Sequence, residues 1–346
     1  MKPAVAITVG DYNGIGPEVV LKSIRHPAIR RVCIPLLVGP ATAFDFYARK
    51  LHFHLDLESV SPNVDGTALA TLLKRSSRAV HIVEDGSIEC PSISPGSLSE
   101  NAGRAASHAI ETAVQLAQKG LVRAIVTAPV SKQALHKAGI QYPGQTEMLQ
   151  DLTSSPHVAM MLVSHTMRVG LVTIHIPLTE VAKSLTGELL RNRVHTIHEA
   201  LRIDWRIREP KIAVLGLNPH AGEGGDLGSE EEAIVTPVLH ELRAGGINVG
   251  GPFPADSFFG TYRPGIYDAV VAMYHDQGLI PFKMSSFGHG VNVSVGLPIV
   301  RTSPDHGTAF HLAGKGVANP GSIIEAIKLA VLIAANRNKA QQRTRI

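Results

Sequence analysis

Residues 4–18 read AVAITVGDYNGIGPE. The run Val5-Ala6-Ile7-Thr8-Val9 is rich in the β-branched side chains that suit a strand, and it breaks at Gly10 into a loop. Pro17 then sits where the first turn of a helix accepts it, because its fixed φ is already helical and its missing N–H has no helical partner there. Strand, tight turn and helix make the opening half of a βαβ unit. Gly10, Gly14 and Gly16 are spaced G-x-x-x-G-x-G, which is not the G-x-G-x-x-G order of a dinucleotide fingerprint. A Rossmann assignment is rejected on this motif, and the glycines are read as serving the turn.

The same alternation continues along the chain. Short apolar runs at 32–38, 80–83, 124–128, 159–163, 168–175, 211–216 and 269–273 read as further strands, most of them continuous enough to be buried and parallel. Between them lie helical patterns. One begins with Ser99 as N-cap, repeats apolar positions at Ala106, Ile110, Ala113 and Ala117, and stops at Gly120. Others start at Pro17 and cover 186–202, 229–244 and 322–335. The class is α/β, with parallel strands covered by helices. At 346 residues the chain exceeds the roughly 100–200 residues of one domain, so two are expected.

Composition narrows the function. A hydrophobic share of 44% with 18% charged residues is ordinary for a globular protein, and no apolar run reaches the roughly 18 residues of a membrane span. The strand that follows Lys2 directly leaves no room for a signal peptide. Cys33 and Cys90 form no CxxC pair, so a disulfide framework and a thiolate metal site are not expected, and a reducing cytoplasmic setting is. The net charge of +4 is scattered, apart from Arg337, Lys339, Arg343 and Arg345 in the tail, so no nucleic-acid partner is expected. A small positive balance also suits a protein that binds phosphate.

Chemistry is expected in the loops after strands, where open α/β sheets bind ligands. With 17 histidines in the chain, a single one is weak evidence; His26, His52, His54, His195, His198 and His240 are read as ordinary surface or structural residues. His175, His220 and His275 differ, since each closes or follows a strand pattern. Three neutral imidazoles leave positions open on a divalent cation, as a catalytic site requires. Asp276, beside His275, and Asp256 are candidates for orienting a ligand or substrate, or else cap their loops. Lys283, Asn292 and Arg301 stand among apolar neighbours and offer a point charge, an amide and a planar fork, which match a phosphate or carboxylate. Thr146 opens the helical stretch TEMLQDL, as a cap or as a hydroxyl set against an anion.

GIGPE (14–18), TAPVSK (127–132), TEML (146–149), GLNPHAGEGG (216–225), PADS (254–257), AMYHDQG (272–278), GVN (290–292), RTSPDHGTA (301–309) and LAGKG (312–316) occur in one order over about residues 4–335. In this the chain resembles the 4-hydroxythreonine-4-phosphate dehydrogenase family. NPHAGEGG and YHDQG are its specific motifs; the glycine turns are not.

The resemblance implies an isocitrate and isopropylmalate dehydrogenase-like architecture of two α/β/α domains with a cleft between them. The first would span 1–135 and 300–346, and the second 136–299, with metal and dimer contacts. It implies a homodimer with sites at the interface. It carries the metal ligands onto His175, His220 and His275, and substrate contacts onto Gln145, Thr146, Lys283, Asn292 and Arg301, with Asp256 and Asp276 as catalytic candidates. Zinc is the first expectation for the metal, with Mg, Mn, Co or Ni as alternatives. HGTAFHLAGKG at 306–316 resembles the adenosine-binding loop of isopropylmalate dehydrogenases, which places NAD, or alternatively NADP, at His306, Gly307, Thr308, Ala309 and Gly314.

The implied reaction is oxidation of 4-phosphohydroxy-L-threonine at its C3 hydroxyl, then decarboxylation to 3-amino-2-oxopropyl phosphate, in pyridoxal phosphate synthesis. Gln145 departs from the family, which has His before Thr-Glu, and so leaves 4-phospho-D-threonate and 4-phospho-D-erythronate open as substrates. A neutral amide there would also flatten the pH response of binding. A phosphate acyltransferase on a similar fold would need the anion site without metal, and a non-catalytic binding protein would need neither metal nor NAD.

Overall fold

A computed structural model of the chain describes residues 2–75, 79–84 and 92–344; Cys90 and Arg345 lie outside the described residues. Among them are twelve strands: β1 (Ala4–Thr8), β2 (Ile34–Val38), β3 (Leu57–Val60), β4 (Val80–Val83), β5 (Ala124–Val126), β6 (Ala159–Val163), β7 (Arg168–Leu171), β8 (Ile212–Leu215), β9 (Val249–Phe253), β10 (Ala269–Ala272), β11 (Val291–Val295) and β12 (Arg301–Pro304). The mixed α/β class holds.

The chain divides into two compact units, residues 1–154 with 298–335 and residues 155–297 with 336–346. The expected boundary at 135/136 therefore falls inside the first unit. Its physical reason is helix Gln145–Leu152, which packs on helix Glu100–Gln118 and so keeps residues 136–154 with the first core. The last residues belong with the second unit, where Arg337 Nε and Nη2 donate to the buried Asp204 carboxylate at 2.6 and 2.9 Å.

In the first unit the strand order is β3-β4-β2-β1-β5-β12, and every recorded pairing is parallel. β1 is buried along its whole length, as its continuous apolar run requires. Helix Glu100–Gln118 starts as read from sequence, with Ser99 Oγ accepting from Ala102 N at 3.4 Å. Cys33 is a free buried thiol, its pKa pushed by burial up to about 12.

In the second unit the order is β11-β6-β7-β10-β8-β9. Here the expectation of parallel strands fails at β6, which runs antiparallel to both β7 and β11. Only residues 164–167 separate β6 from β7, closed by Ser164 N donating to Met167 O at 2.9 Å. A parallel pair needs a crossover of about a dozen residues, so this connection can only be a hairpin. The core packs Met160, Leu162, Val169, Leu171, Val270 and Phe282 together.

Candidate functional site

In the first unit the 10–18 turn does more than reverse the chain. Ile15 N donates to Thr308 O at 2.9 Å, and a Cβ built on Gly14 would stand 2.9 Å from Thr308 Cβ, so only glycine admits that approach. Glu18, fully buried, accepts from Ala318 N at 2.8 Å and Gly316 N at 3.3 Å, and its partner Lys22 donates to Gly316 O and Ala318 O. The turn is thus the support of the 306–316 loop, a role that glycine spacing alone did not reveal. Within the loop, Ala309 takes a left-handed φ of 42°, a Cβ on Gly307 would meet nothing within 4 Å, and His306 Nε2 is buried without a hydrogen-bond partner. An open glycine surface beside an unsatisfied imidazole nitrogen fits a polar cofactor.

Asp11, in the same turn, was not singled out by sequence. Its side chain is fully buried, with Oδ1 accepting from Asn13 N at 2.9 Å and Oδ2 unpartnered. Burial pushes this carboxyl up to about 6 from an ordinary 3.8, against the opposing pull of main-chain N–H groups. Between those two values the folded chain holds a proton that the unfolded chain has released, so stability falls as pH rises through the window. Asp11→Asn removes the titration. Its stability relative to the natural protein is expected to improve by ~3 kcal/mol between pH 4 and 7, because each tenfold difference in proton affinity between the folded and unfolded chains is worth about 1.4 kcal/mol. Urea unfolding across that range checks it; a difference that does not change with pH would refute it.

Arg301 opens β12 and is 2% exposed. Its guanidinium donates from Nε and Nη2 to Thr127 Oγ1 at 3.1 and 2.8 Å, and from Nη2 to Gln145 Oε1 at 2.9 Å. Burial pulls its pKa down to about 9 and Glu147 opposes that, so it stays charged at neutral pH. The structure therefore brings Arg301, Gln145 and Thr146 into one unit and adds Thr127 to them. Thr146 is buried in the first turn of its helix, whose N-cap is Gly144; it does not cap the helix, because position 145 is already helical. Lys283 and Asn292 belong to the second unit, on the exposed face of helix His275–Ser286 and on β11 opposite Leu162.

The three histidines all lie in the second unit. The rings of His175 and His275 come together, with centroids 6.1 Å apart. His275 Nδ1 lies 2.7 Å from Asp276 Oδ1. A carboxylate only accepts, so Nδ1 carries the proton and Nε2 keeps its lone pair for a ligand bond. His220 sits on an unusual segment. Residues 220–225 all have positive φ, from 44° to 97°, forming a left-handed turn that includes the non-glycine His220, Ala221 and Glu223. Each of those three is disfavoured by about 1–2 kcal/mol, which marks the turn as held from outside.

His220 is not gathered with the other two: among the described residues no three His, Cys, Asp or Glu side chains form a group able to hold a metal ion. The donor set of three imidazoles nevertheless fits an open divalent site in kind. Asp256 is exposed in the first turn of helix Ala255–Thr261. Nearby in sequence, Phe253, Phe258, Tyr262 and Tyr267 line a pocket of about 300 Å³ that none of the three histidines touches.

The family described as pyridoxal phosphate biosynthetic protein PdxA matches residues 31–330. The 4-hydroxythreonine-4-phosphate dehydrogenase of Desulforapulum autotrophicum is 42% identical over 333 residues, covering 96% of each chain. The D-threonate 4-phosphate dehydrogenase of Cupriavidus necator is also 42% identical, over 337 residues, covering 97% of this chain and 98% of its own. Among solved structures, the 4-hydroxythreonine-4-phosphate dehydrogenase of Klebsiella pneumoniae matches with a TM-score of 0.82 at 38% identity, covering 96% of this chain and 98% of that one.

Proposed function

The chain belongs to the PdxA family of pyridoxal phosphate biosynthetic proteins, whose relatives are dehydrogenases, and from that premise we propose that it oxidises 4-phosphohydroxy-L-threonine at the C3 hydroxyl with NAD and a divalent cation. The resulting 3-oxo acid loses carbon dioxide to give 3-amino-2-oxopropyl phosphate. The observation that carries the reading is the charged, buried Arg301 fork, beside a threonine in the first turn of a helix: a combination suited to a phosphorylated acid.

When bound, NAD accepts the hydride and the cation, zinc first, supplies Lewis acidity to the hydroxyl oxygen. His175, His220 and His275 would hold the cation, and Asp276 keeps the His275 ring in the ligating tautomer. The 306–316 loop, buttressed by Glu18, would hold the cofactor through His306, Gly307, Thr308, Ala309 and Gly314. Lys283 and Asn292 complete the substrate contacts, and Asp256 orients the reacting end. A homodimer is part of the reading; Leu178, Met284 and Phe287 stand 72%, 84% and 85% exposed in the second unit, apolar side chains that a second copy could cover. The free thiol Cys33 suits the cytoplasm. Among the described residues no helix is long and apolar enough to cross a membrane.

Gln145 favours a second reading, 4-phospho-D-threonate. Its carbonyl oxygen already accepts from Arg301, and its NH₂ offers two donors to substrate. A donor there suits a hydroxyl or oxyanion and repels an ammonium group, which threonate lacks. A panel of phosphohydroxythreonine, phosphothreonate and phosphoerythronate, read by NADH absorbance with and without added metal, is expected to give the highest kcat/KM with one of the first two. No turnover of any of the three would overturn the assignment, and equal rates with NADP would overturn the cofactor.

A further inference from the structure

The backbones that carry the three histidines are tied to one another by side chains outside the ligand set. Thr173, two residues before His175, donates to Met273 O twice, from Oγ1 at 2.7 Å and from its main-chain N at 3.1 Å. Met273, two residues before His275, donates its N–H to Gln277 Oε1 at 2.7 Å. Gln277 Nε2 in turn donates to Gly216 O at 2.7 Å, across 61 positions of sequence, and Gly216 begins the loop that carries His220. The entry of that loop is also held by the buried Glu231, whose Oε1 accepts from Leu217 N at 2.7 Å and Asn218 N at 2.8 Å, and whose Oε2 accepts from Asn218 Nδ2 at 2.9 Å. Glu231 lies in a short π-helical segment, a form that recurs at functional sites.

We propose that Gln277 is a positioning residue that fixes the left-handed His220 turn to the start of the His275 helix, and so holds the backbone that carries His220 in place. This rests on the metal reading above. Only a planar amide can perform the task, because one end must accept from Met273 and the other must donate to Gly216. Glutamate would keep the first contact, lose the second, and set a carboxylate against a carbonyl oxygen. Leucine would lose both. The left-handed turn has no preference of its own for the conformation it adopts, so its geometry depends on the Gly216 and Glu231 ties at its entry.

The test compares the full-length natural protein with Gln277→Glu and Gln277→Leu at matched far-UV circular dichroism. In the metal-free proteins, amide exchange over residues 212–222 and 270–280 is expected to be faster in both variants by about tenfold or more. Cobalt(II), titrated by its visible absorption, is expected to bind them about 10- to 100-fold more weakly, the usual effect of losing an outer-shell support. Unchanged exchange in both segments, or unchanged cobalt affinity, would overturn the role. A natural protein that takes up no cobalt would sink the metal reading instead, while the exchange comparison still decides whether Gln277 couples the two segments.

Discussion

Removing divalent cations with a chelator is expected to lower kcat about 1,000-fold or more, with recovery on adding back zinc, manganese or cobalt. A cation at a developing alkoxide contributes several kcal/mol, and each 1.36 kcal/mol is tenfold in rate, which sets that scale. His175→Ala, His220→Ala and His275→Ala should each lose bound metal and activity together while remaining folded, because none of the three is buried in a core. Asp276→Asn tests the same site from one step away. It weakens the acceptor opposite His275 Nδ1 without touching the ligand itself, and metal affinity is expected to fall about 10- to 100-fold. Metal content by mass spectrometry and circular dichroism read these outcomes. A stripped enzyme with full activity would remove the cation from the reaction.

The second large effect is expected at Arg301. Lysine keeps the charge there but cannot reproduce the planar contacts to Thr127 Oγ1 and Gln145 Oε1, and it leaves the buried Thr127 and half-buried Gln145 oxygens short of a donor. Truncating one side of a buried, hydrogen-bonded charged group costs about 2–5 kcal/mol, so Arg301→Lys should lower kcat/KM by about 30- to 5,000-fold, chiefly through substrate binding. Gln145→His probes the same contact. An imidazole at 145 would face the Arg301 guanidinium, and like charge disfavours its cationic form. The expectation that a family histidine gains anion affinity as pH falls therefore shifts to the acid end of the range. The natural enzyme should be flatter with pH and rank phosphothreonate higher relative to phosphohydroxythreonine than the variant does. Identical rankings and profiles from pH 6 to 9 would make Gln145 a neutral replacement.

The sequence by itself determined what local chemistry controls. The continuous apolar run of β1, the Ser99 cap and the Gly120 stop specified their elements, because strand burial and helix ends depend on residues within a few positions of one another. The α/β class followed, as did the two-unit division in outline; the strand read over 168–175 ends at Leu171, so His175 lies in the loop after β7 rather than closing it, as His220 and His275 lie after β8 and β10. β3, β9, β11 and β12 were not legible there, since LESV, VGGPF, VNVSV and RTSP carry polar residues, glycine or proline where a buried strand is read from apolar continuity.

Only the tertiary structure decided which distant groups meet. It turned the GIGPE glutamate into a clamp on residues 316–318, some 300 positions away, and it engaged Gln145 with Arg301 across 156 positions. It also made Gln277 the tie between two histidine loops, and Glu231, an ordinary helix-start glutamate by sequence, the anchor of a left-handed turn. A hydrogen-bond partner is fixed by where two backbones are brought together in space, and no propensity or spacing within either segment encodes the identity of the other.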